Sequence, residues 1–244
     1  MTASRAIDPA GAESDGVDIH VIAAVISADK PLSADLVESV TALARRAEDA
    51  SSDRPHGVVL YISGAQRDRS FAWPGDVAVG DVGKWETALR RLEQVPAPIV
   101  AVVSGDAYGP AAELLLVADY RVLRSGSVFA FAATESGVWP AMGLHRLVAQ
   151  AGVGPARQLT VQGRSLSAER ARDLGLIDTV IADGAEAETA AINAGLALFG
   201  SVAGSEVAIR RRLLLDAGTT RFEDALGAHL AASDRTLRRG RTAS

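Results

Sequence analysis

Few side chains in this sequence can do acid–base, nucleophilic or metal chemistry, and most of them are scattered. There is no cysteine, which excludes disulfides, thiolate catalysis, zinc–thiolate and iron–sulfur sites. The four histidines, His20, His56, His145 and His229, are too far apart in sequence to suggest a metal site. His145 falls on an expected helix, where a lone histidine is ordinarily structural. Ser63-Gly64-Ala65 lacks the spacing of a phosphate-cradling loop. The carboxylates remain. Glu113 stands three residues after Pro110, at the start of an expected helix behind a glycine-bearing turn. Two readings are open for it. A glutamate in a first helical turn is stabilised by the helix dipole alone. A carboxylate desolvated near a buried turn can instead work as acid or base. Asp106 sits within that turn and can bond its own backbone, as turn aspartates do, or face a substrate.

The elements that must position these residues alternate early and turn helical late. The Val/Ile-rich stretch 17–26 reads as a strand. Pro31 and Ser33 open a helix to about 48, with Leu36, Val40 and Leu43 on one face. A buried strand is expected at 56–62. The stretch 63–83 holds Gly64, Pro74, Gly75, Gly80 and Gly83 and reads as a long loop, often a functional feature. A helix over 84–95 carries Trp85, Ala88, Leu89 and Leu92 as its apolar stripe. The unbroken apolar run 98–103 predicts a strand covered on both faces. After the turn 104–109, Pro110 suits the first helical position of a helix to about 117. Short strands at 119–123 and 128–131 and helices at 141–151 and 154–162 follow. Ser167 caps another helix, Gly175 ends it, and a last strand lies at 180–181. From 185 to about 237 the chain reads as helical, and no internal repeat is visible.

The 244 residues fit one large α/β domain. They are 48% hydrophobic and only 5% aromatic, which suits helices packed on a small sheet. A net charge of −5 argues against nucleic acid as a partner. The stretch 1–16 has no apolar run and is expected to be a disordered tail, not a signal peptide. No stretch of about 18 apolar residues predicts a membrane span, so a cytoplasmic setting is expected. The end, 233–244, carries Arg235, Arg238, Arg239 and Arg241. It reads either as a solvated terminus or as a cationic contact to a ligand phosphate. The expected layout is the tail 1–16, a core 17–183, a helical region 184–237 and a tail 238–244.

Three ordered segments resemble the crotonase (enoyl-CoA hydratase/isomerase) superfamily. Phe71-Ala72-Trp73-Pro74-Gly75-Asp76 resembles that family's F-x-A-G-x-D loop. The stretch from Pro98 through Ser104-Gly105-Asp106-Ala107-Tyr108-Gly109-Pro110-Ala111-Ala112-Glu113-Leu114, with Ala118-Asp119-Tyr120-Arg121, resembles P-x-I-A-x-V-x-G-x-A-x-G-G-G-x-E-L followed by C-D-x-R. Gly137-Val138-Trp139-Pro140, Arg146-Leu147 and the stretch from Gly163 to Asp178 are similar to the remaining motifs, with one residue missing after Pro140. The match spans roughly 71–180. Lys84-Trp85-Glu86, Ser104-Gly105-Asp106 and Trp139-Pro140-Ala141-Met142 further resemble a subgroup. Its members are the hydratase-like accessory proteins that work beside a type III polyketide synthase in making 3,5-dihydroxyphenylacetyl-CoA.

The resemblance implies an α/β fold, a spiral of ββα units with a helical C-terminal trimerisation region. It implies an acyl-CoA or polyketide thioester as substrate, coenzyme A only as part of that substrate, and no metal or other cofactor. It implies a homo-trimer or hexamer, with a type III polyketide synthase as partner. Two backbone N–H groups would stabilise the thioester enolate. Gly75 falls on one donor position, and an ordinary turn glycine is its other reading. Pro110 falls on the second and has no N–H to give. Ala111 N–H is the nearest substitute, and the dipole of the helix start acts at the same spot. Losing one such donor typically costs about 100- to 1000-fold in turnover. Glu113 falls on the first of the two glutamates that handle water in hydratases. Ala133 falls on the second, with Glu135 two residues on. Trp73, Tyr108 and Trp139 lie in the matching loops and either line the acyl pocket or pack the core. One carboxylate suits a proton shuttle better than water addition. The expected function is therefore assistance to proton transfer or dehydration in aromatic polyketide formation. A non-catalytic scaffold for a partner enzyme and an ordinary enoyl-CoA hydratase or isomerase are the alternatives.

Overall fold

The apolar runs in the middle of the sequence become strands with both faces covered, and the remaining elements are laid on those faces. The computed structural model describes residues 19–50, 55–65, 71–139, 141–200 and 204–242. The expected tail at 1–16 and Pro140 lie outside them. Strand β1 (His20–Ser27) leads into α1 (Ala34–Glu48), whose N-cap Ser33 accepts from Leu36 N. Then come β2 (His56–Ser63), α2 (Val79–Glu93), β3 (Ile99–Ser104), β4 (Ala107–Tyr108) and α3 (Pro110–Leu115). Next are β5 (Tyr120–Arg124), β6 (Val128–Ala130), and the hairpin of β7 (Ala133–Thr134) and β8 (Gly137–Val138). Helix α4 (Met142–Ala151) is followed by α5 (Val153–Ala156), which runs into a π-helical turn at Arg157–Val161. The chain closes with β9 (Leu166–Ser167), α6 (Ala168–Asp173), β10 (Thr179–Ile181), α7 (Ala185–Ala197), α8 (Gly204–Ala217) and α9 (Phe222–Thr242).

The main sheet is parallel, in the order β1-β2-β3-β5-β10. Successive side chains point to opposite faces. Val58, Leu60 and Ile62 of β2 and Ile99, Ala101 and Val103 of β3 therefore join one core, with Leu36, Val40 and Leu43 of α1 and Trp85, Leu89 and Leu92 of α2. Val59, Val100, Val102 and Val122 face the other way, onto Ala191, Ile192 and Leu196 of α7. A second small sheet, β4-β6-β9, turns the chain behind the 104–109 turn. Among the described residues no helix is long and apolar enough to cross a membrane.

Several expectations are corrected. Helix α2 starts at Val79, not 84. Gly80 and Gly83 sit in its first turns with nothing within 4 Å of where a side chain would be. Each costs only about 1 kcal/mol relative to alanine, and the buried stripe from Trp85 to Leu92 outweighs that cost. The expected loop 63–83 is shortened accordingly. The turn at 104–109 contains β4, and the hairpin at 133–138 was not foreseen. The expected tail from 238 is helical through Thr242, because α9 does not stop at 237. Arg235 and Arg239 pair with Glu206 of α8, at 2.7 and 3.0 Å, and so fasten the two last helices together.

Helix α8 is anchored by a buried arginine. Arg211 Nε donates to Asp119 Oδ1 at 2.8 Å, and its Nη2 donates to Oδ2. Its terminal nitrogens also donate to the carbonyls of Glu93, Val95 and Ala97. Asp119 Oδ2 accepts from Ile99 N as well, at 2.8 Å. A planar fork with five donors fits this arrangement and an ammonium does not. Arg211→Ala takes the guanidinium from Asp119, which keeps the Ile99 N–H, and from three carbonyls. The expected loss is about 3 to 5 kcal/mol of unfolding free energy in urea denaturation, and Arg211→Lys recovers little of it.

Candidate functional site

Glu113 is the centre of the site. It lies in the first turns of α3, its N–H bonds Gly109 O at 3.1 Å, and only 1% of it is exposed. A carboxylate so buried needs donors. Both come from indoles. Trp73 Nε1 donates to Oε1 at 3.0 Å, and Trp85 Nε1 donates to Oε2 at 2.6 Å. The two indoles meet edge to face, with centroids 5.6 Å apart. Trp73 comes from the irregular segment after β2 and Trp85 from α2. Behind the carboxylate, Gly143 of α4 leaves no room for more. A Cβ there would stand 3.3 Å from Glu113 Cγ and 2.7 Å from Phe131 Cε1.

Burial is the largest influence on Glu113 and raises its pKa to about 7. The Trp85 and Trp73 N–H bonds oppose burial by favouring the charged form. Glu86 of α2 adds to the rise and Arg146 of α4 counters it. Arg146 is itself buried and pairs with Glu86 at 3.0 Å and Glu93 at 3.2 Å. A carboxyl poised near neutrality suits proton uptake and release at physiological pH.

The other expected residues divide into two groups. Trp73, Gly75, Glu135 and Trp139 line one cavity of about 550 Å³, together with Ala72, Pro74, Asp76 and Ala133. Gly75 has φ +88°, and Pro31 lies 2.8 Å from where its Cβ would be, so only glycine fits. Glu135 is exposed in the turn of the β7–β8 hairpin, at the cavity edge. Glu113, Ala111, Asp106 and Tyr108 do not line this cavity. Ala111 and Pro110 are buried in the first turn of α3, where the Ala111 amide has no acceptor within the helix. Trp73 links the two: the residue lines the cavity, and its indole N–H donates to Glu113. Asp106 faces away. Its Oδ1 accepts from Val128 N at 2.9 Å, and its backbone pairs with Ala65. Its side chain reaches β6, while within its own turn only its backbone carbonyl is engaged, accepting from Tyr108 N at 3.0 Å. Tyr108 packs edge to face on Phe71, and its hydroxyl accepts from Ala133 N at 3.2 Å, bracing the hairpin.

Trp85 is the site residue that sequence reasoning missed. Its place in an apolar helix stripe read as core. The signal was present in the Lys84-Trp85-Glu86 resemblance, but nothing local says where an indole N–H points. Arg146 was matched only as part of a motif. Among the described residues, no cluster of three or more His, Asp or Glu side chains is placed to hold a metal ion.

Solved structures share this fold. It matches an enoyl-CoA hydratase from Bacillus anthracis over 91% of this chain and 90% of that one, with a TM-score of 0.74 and 23% identity. It matches one from Polaromonas sp. JS666 over the same shares, with a TM-score of 0.69 and 19% identity. This is the crotonase type of α/β fold. The chain belongs to the enoyl-CoA hydratase/isomerase family, whose model matches residues 81–225. It is 41% identical over 214 residues to an "Enoyl-CoA-hydratase" of Amycolatopsis orientalis, covering 87% of this chain and 94% of that one. It is also 35% identical over 117 residues to a mitochondrial enoyl-CoA hydratase domain-containing protein of Mus musculus, covering 47% of this chain and 40% of that one. An enzyme of the enoyl-CoA hydratase/isomerase kind is thereby defined.

The raised pKa of Glu113 has a consequence for stability. Between the ordinary value of 4.5 and about 7, the folded protein keeps a proton here that the unfolded chain has released. Stability attributable to this group therefore falls as pH rises through that window. Glu113→Gln removes the dependence. Urea denaturation at pH 4.5 and 7.5 is expected to show the wild type losing, relative to the variant, on the order of 3 kcal/mol. Equal changes in both proteins would contradict the raised value.

Proposed function

We propose that this enzyme binds an acyl-CoA or polyketide thioester and moves a proton on it during aromatic polyketide formation. The observation that carries the reading is the buried carboxyl of Glu113, poised near neutrality, with Ala133 where a hydratase has its second carboxylate. A water molecule to be added across a double bond has only one base to hold it. A dehydration needs less. Glu113 takes the proton beside the thioester carbonyl, and the hydroxyl one carbon further leaves as water, either with that proton or with one from solvent. Gly75 N–H, fixed at the cavity wall, polarises the thioester oxygen. Ala111 N–H takes the position where Pro110 has no donor to offer. Coenzyme A enters only as part of the substrate.

The motif resemblance supports a reaction beside a type III polyketide synthase making 3,5-dihydroxyphenylacetyl-CoA. The resemblance also suggests a homo-trimer or hexamer. Phe222, Leu226, Leu230 and Leu237 on α9 are exposed, which supports self-association through the helical end. A cytoplasmic setting, with neither nucleic acid nor membrane as partner, accords with the acidic charge.

A second reading has its own support: both oxygens of Glu113 are already occupied, as in a structural carboxylate. In that case the chain stabilises the synthase without chemistry. The test combines this protein with such a synthase and malonyl-CoA and measures product formation. A gain in product release that falls on the order of 100-fold with Glu113→Gln supports proton transfer. A gain that survives Glu113→Gln selects the scaffold. Brisk hydration of crotonyl-CoA by this protein alone would overturn both in favour of an ordinary hydratase.

A further inference from the structure

The two indoles on Glu113 are not equivalent. Both are buried, Trp85 1% and Trp73 2% exposed, but Trp85 is held by a regular helix of 15 residues and makes the shorter bond, 2.6 Å to Oε2. Removing that bond would require α2 to move, and α2 carries the core stripe Ala88, Leu89 and Leu92. Trp73 makes the longer bond, 3.0 Å to Oε1, from a segment outside helix and strand. Trp73 is among the residues that line the cavity, and its indole N–H reaches the carboxylate. A ligand in the cavity meets Trp73 before it can meet Glu113.

We infer that Trp85 is the positioning residue of Glu113 and Trp73 its exchangeable partner, so that a thioester ligand reaches the carboxyl only at Oε1, by taking the place of the Trp73 N–H. This rests on the thioester reading above and deepens it by assigning the two oxygens different roles. Oε2 stays on Trp85 throughout, which fixes the plane of the carboxyl and keeps one donor on it while the proton moves. Oε1 is the atom that takes and returns the proton. The indole of Trp73 satisfies that oxygen in the empty site, where it would otherwise be buried without a donor. The charged groups facing the pair are Glu86 of α2 and Arg146 of α4, with Asp76 and Glu135 at the cavity. None of them donates to Glu113 in place of an indole.

The protein has three tryptophans, Trp73, Trp85 and Trp139, so indole ¹⁵N–¹H spectra of the full chain can follow each one. In the empty protein, the Trp73 and Trp85 signals should titrate together with the Glu113 carboxyl. Butyryl-CoA, a thioester that can be neither hydrated nor dehydrated, is then added to saturation. Trp139, which lines the cavity, reports binding. The expected result is that Trp73 loses its carboxylate-bonded shift while Trp85 keeps its own. A shifted Trp139 with Trp73 unchanged, or with Trp85 released instead, overturns the inference and leaves the thioester reading standing. No shift of any indole overturns the thioester reading, and the inference with it.

Two variants add independent readings. Trp85→Phe should raise the Glu113 titration midpoint by about one pH unit, since it removes a donor that favours the charged form. It should also lower the synthase-coupled rate on the order of 100-fold, with little change in affinity for butyryl-CoA. Trp73→Phe should tighten butyryl-CoA binding several-fold, because no bond to Oε1 has to be given up. The reverse pattern, affinity changing with Trp85 and rate with Trp73, would assign the roles the other way. If Trp85→Phe does not fold, the wild-type spectra alone decide the question.

Discussion

A carboxylate taken out of water is costly, and the middle of this fold is arranged around paying that cost at Glu113 with two indole N–H groups. Trp73 and Trp85 lie 40 and 28 residues before it in the chain. Their convergence brings α2 and the segment carrying Trp73 onto the carboxylate of α3, and α4 comes close enough that a Cβ at its Gly143 would crowd Glu113 and Phe131. Aliphatic residues at these positions would pack as well. What indoles add is a directed donor on a large apolar body, so the same side chains that dry the site also satisfy it. The balance between drying and donation leaves the carboxyl near neutrality, where neither its charged nor its neutral form dominates.

The outline of the fold was legible in the sequence because its strands are covered on both sides. That geometry forces unbroken apolar runs such as 98–103, and runs of that kind are hard to mistake. The start of α3 was legible through Pro110, and α6 through Ser167, whose hydroxyl accepts from Arg170 N. Glycine misled at α2. Gly80 and Gly83 look like loop residues, yet on the solvent side of a helix anchored further along their cost is small. The candidate site was half legible. Glu113 and the cavity residues stood in recognisable motifs. Trp85 stood in one too, but its role was not legible, since periodicity reports which face a side chain is on and not where its N–H points. Asp106 shows the same limit: its acceptor role was foreseen, but its donor, Val128 N, lies 22 residues ahead and not in its own turn.

The second polar knot follows a different logic. Arg211 ties α8 to three carbonyls of the single segment that joins α2 to β3 and to Asp119, just before β5. A helix docked by apolar contact alone can slide by a residue or rotate at modest cost. One docked through a forked guanidinium has a single acceptable position. The clamp thereby fixes the register of the helical C-terminal part against the core.

The segment carrying Trp73 is fastened where it meets α1. Leu32 N donates to Pro74 O at 2.9 Å, and Pro31 lies directly under Gly75. Its main chain is therefore already in place before any ligand arrives, and the Gly75 amide with it. The response to a ligand is then left to side chains, the Trp73 ring foremost. Binding then asks for little loss of backbone entropy, and most of the intrinsic attraction between cavity and thioester remains as affinity.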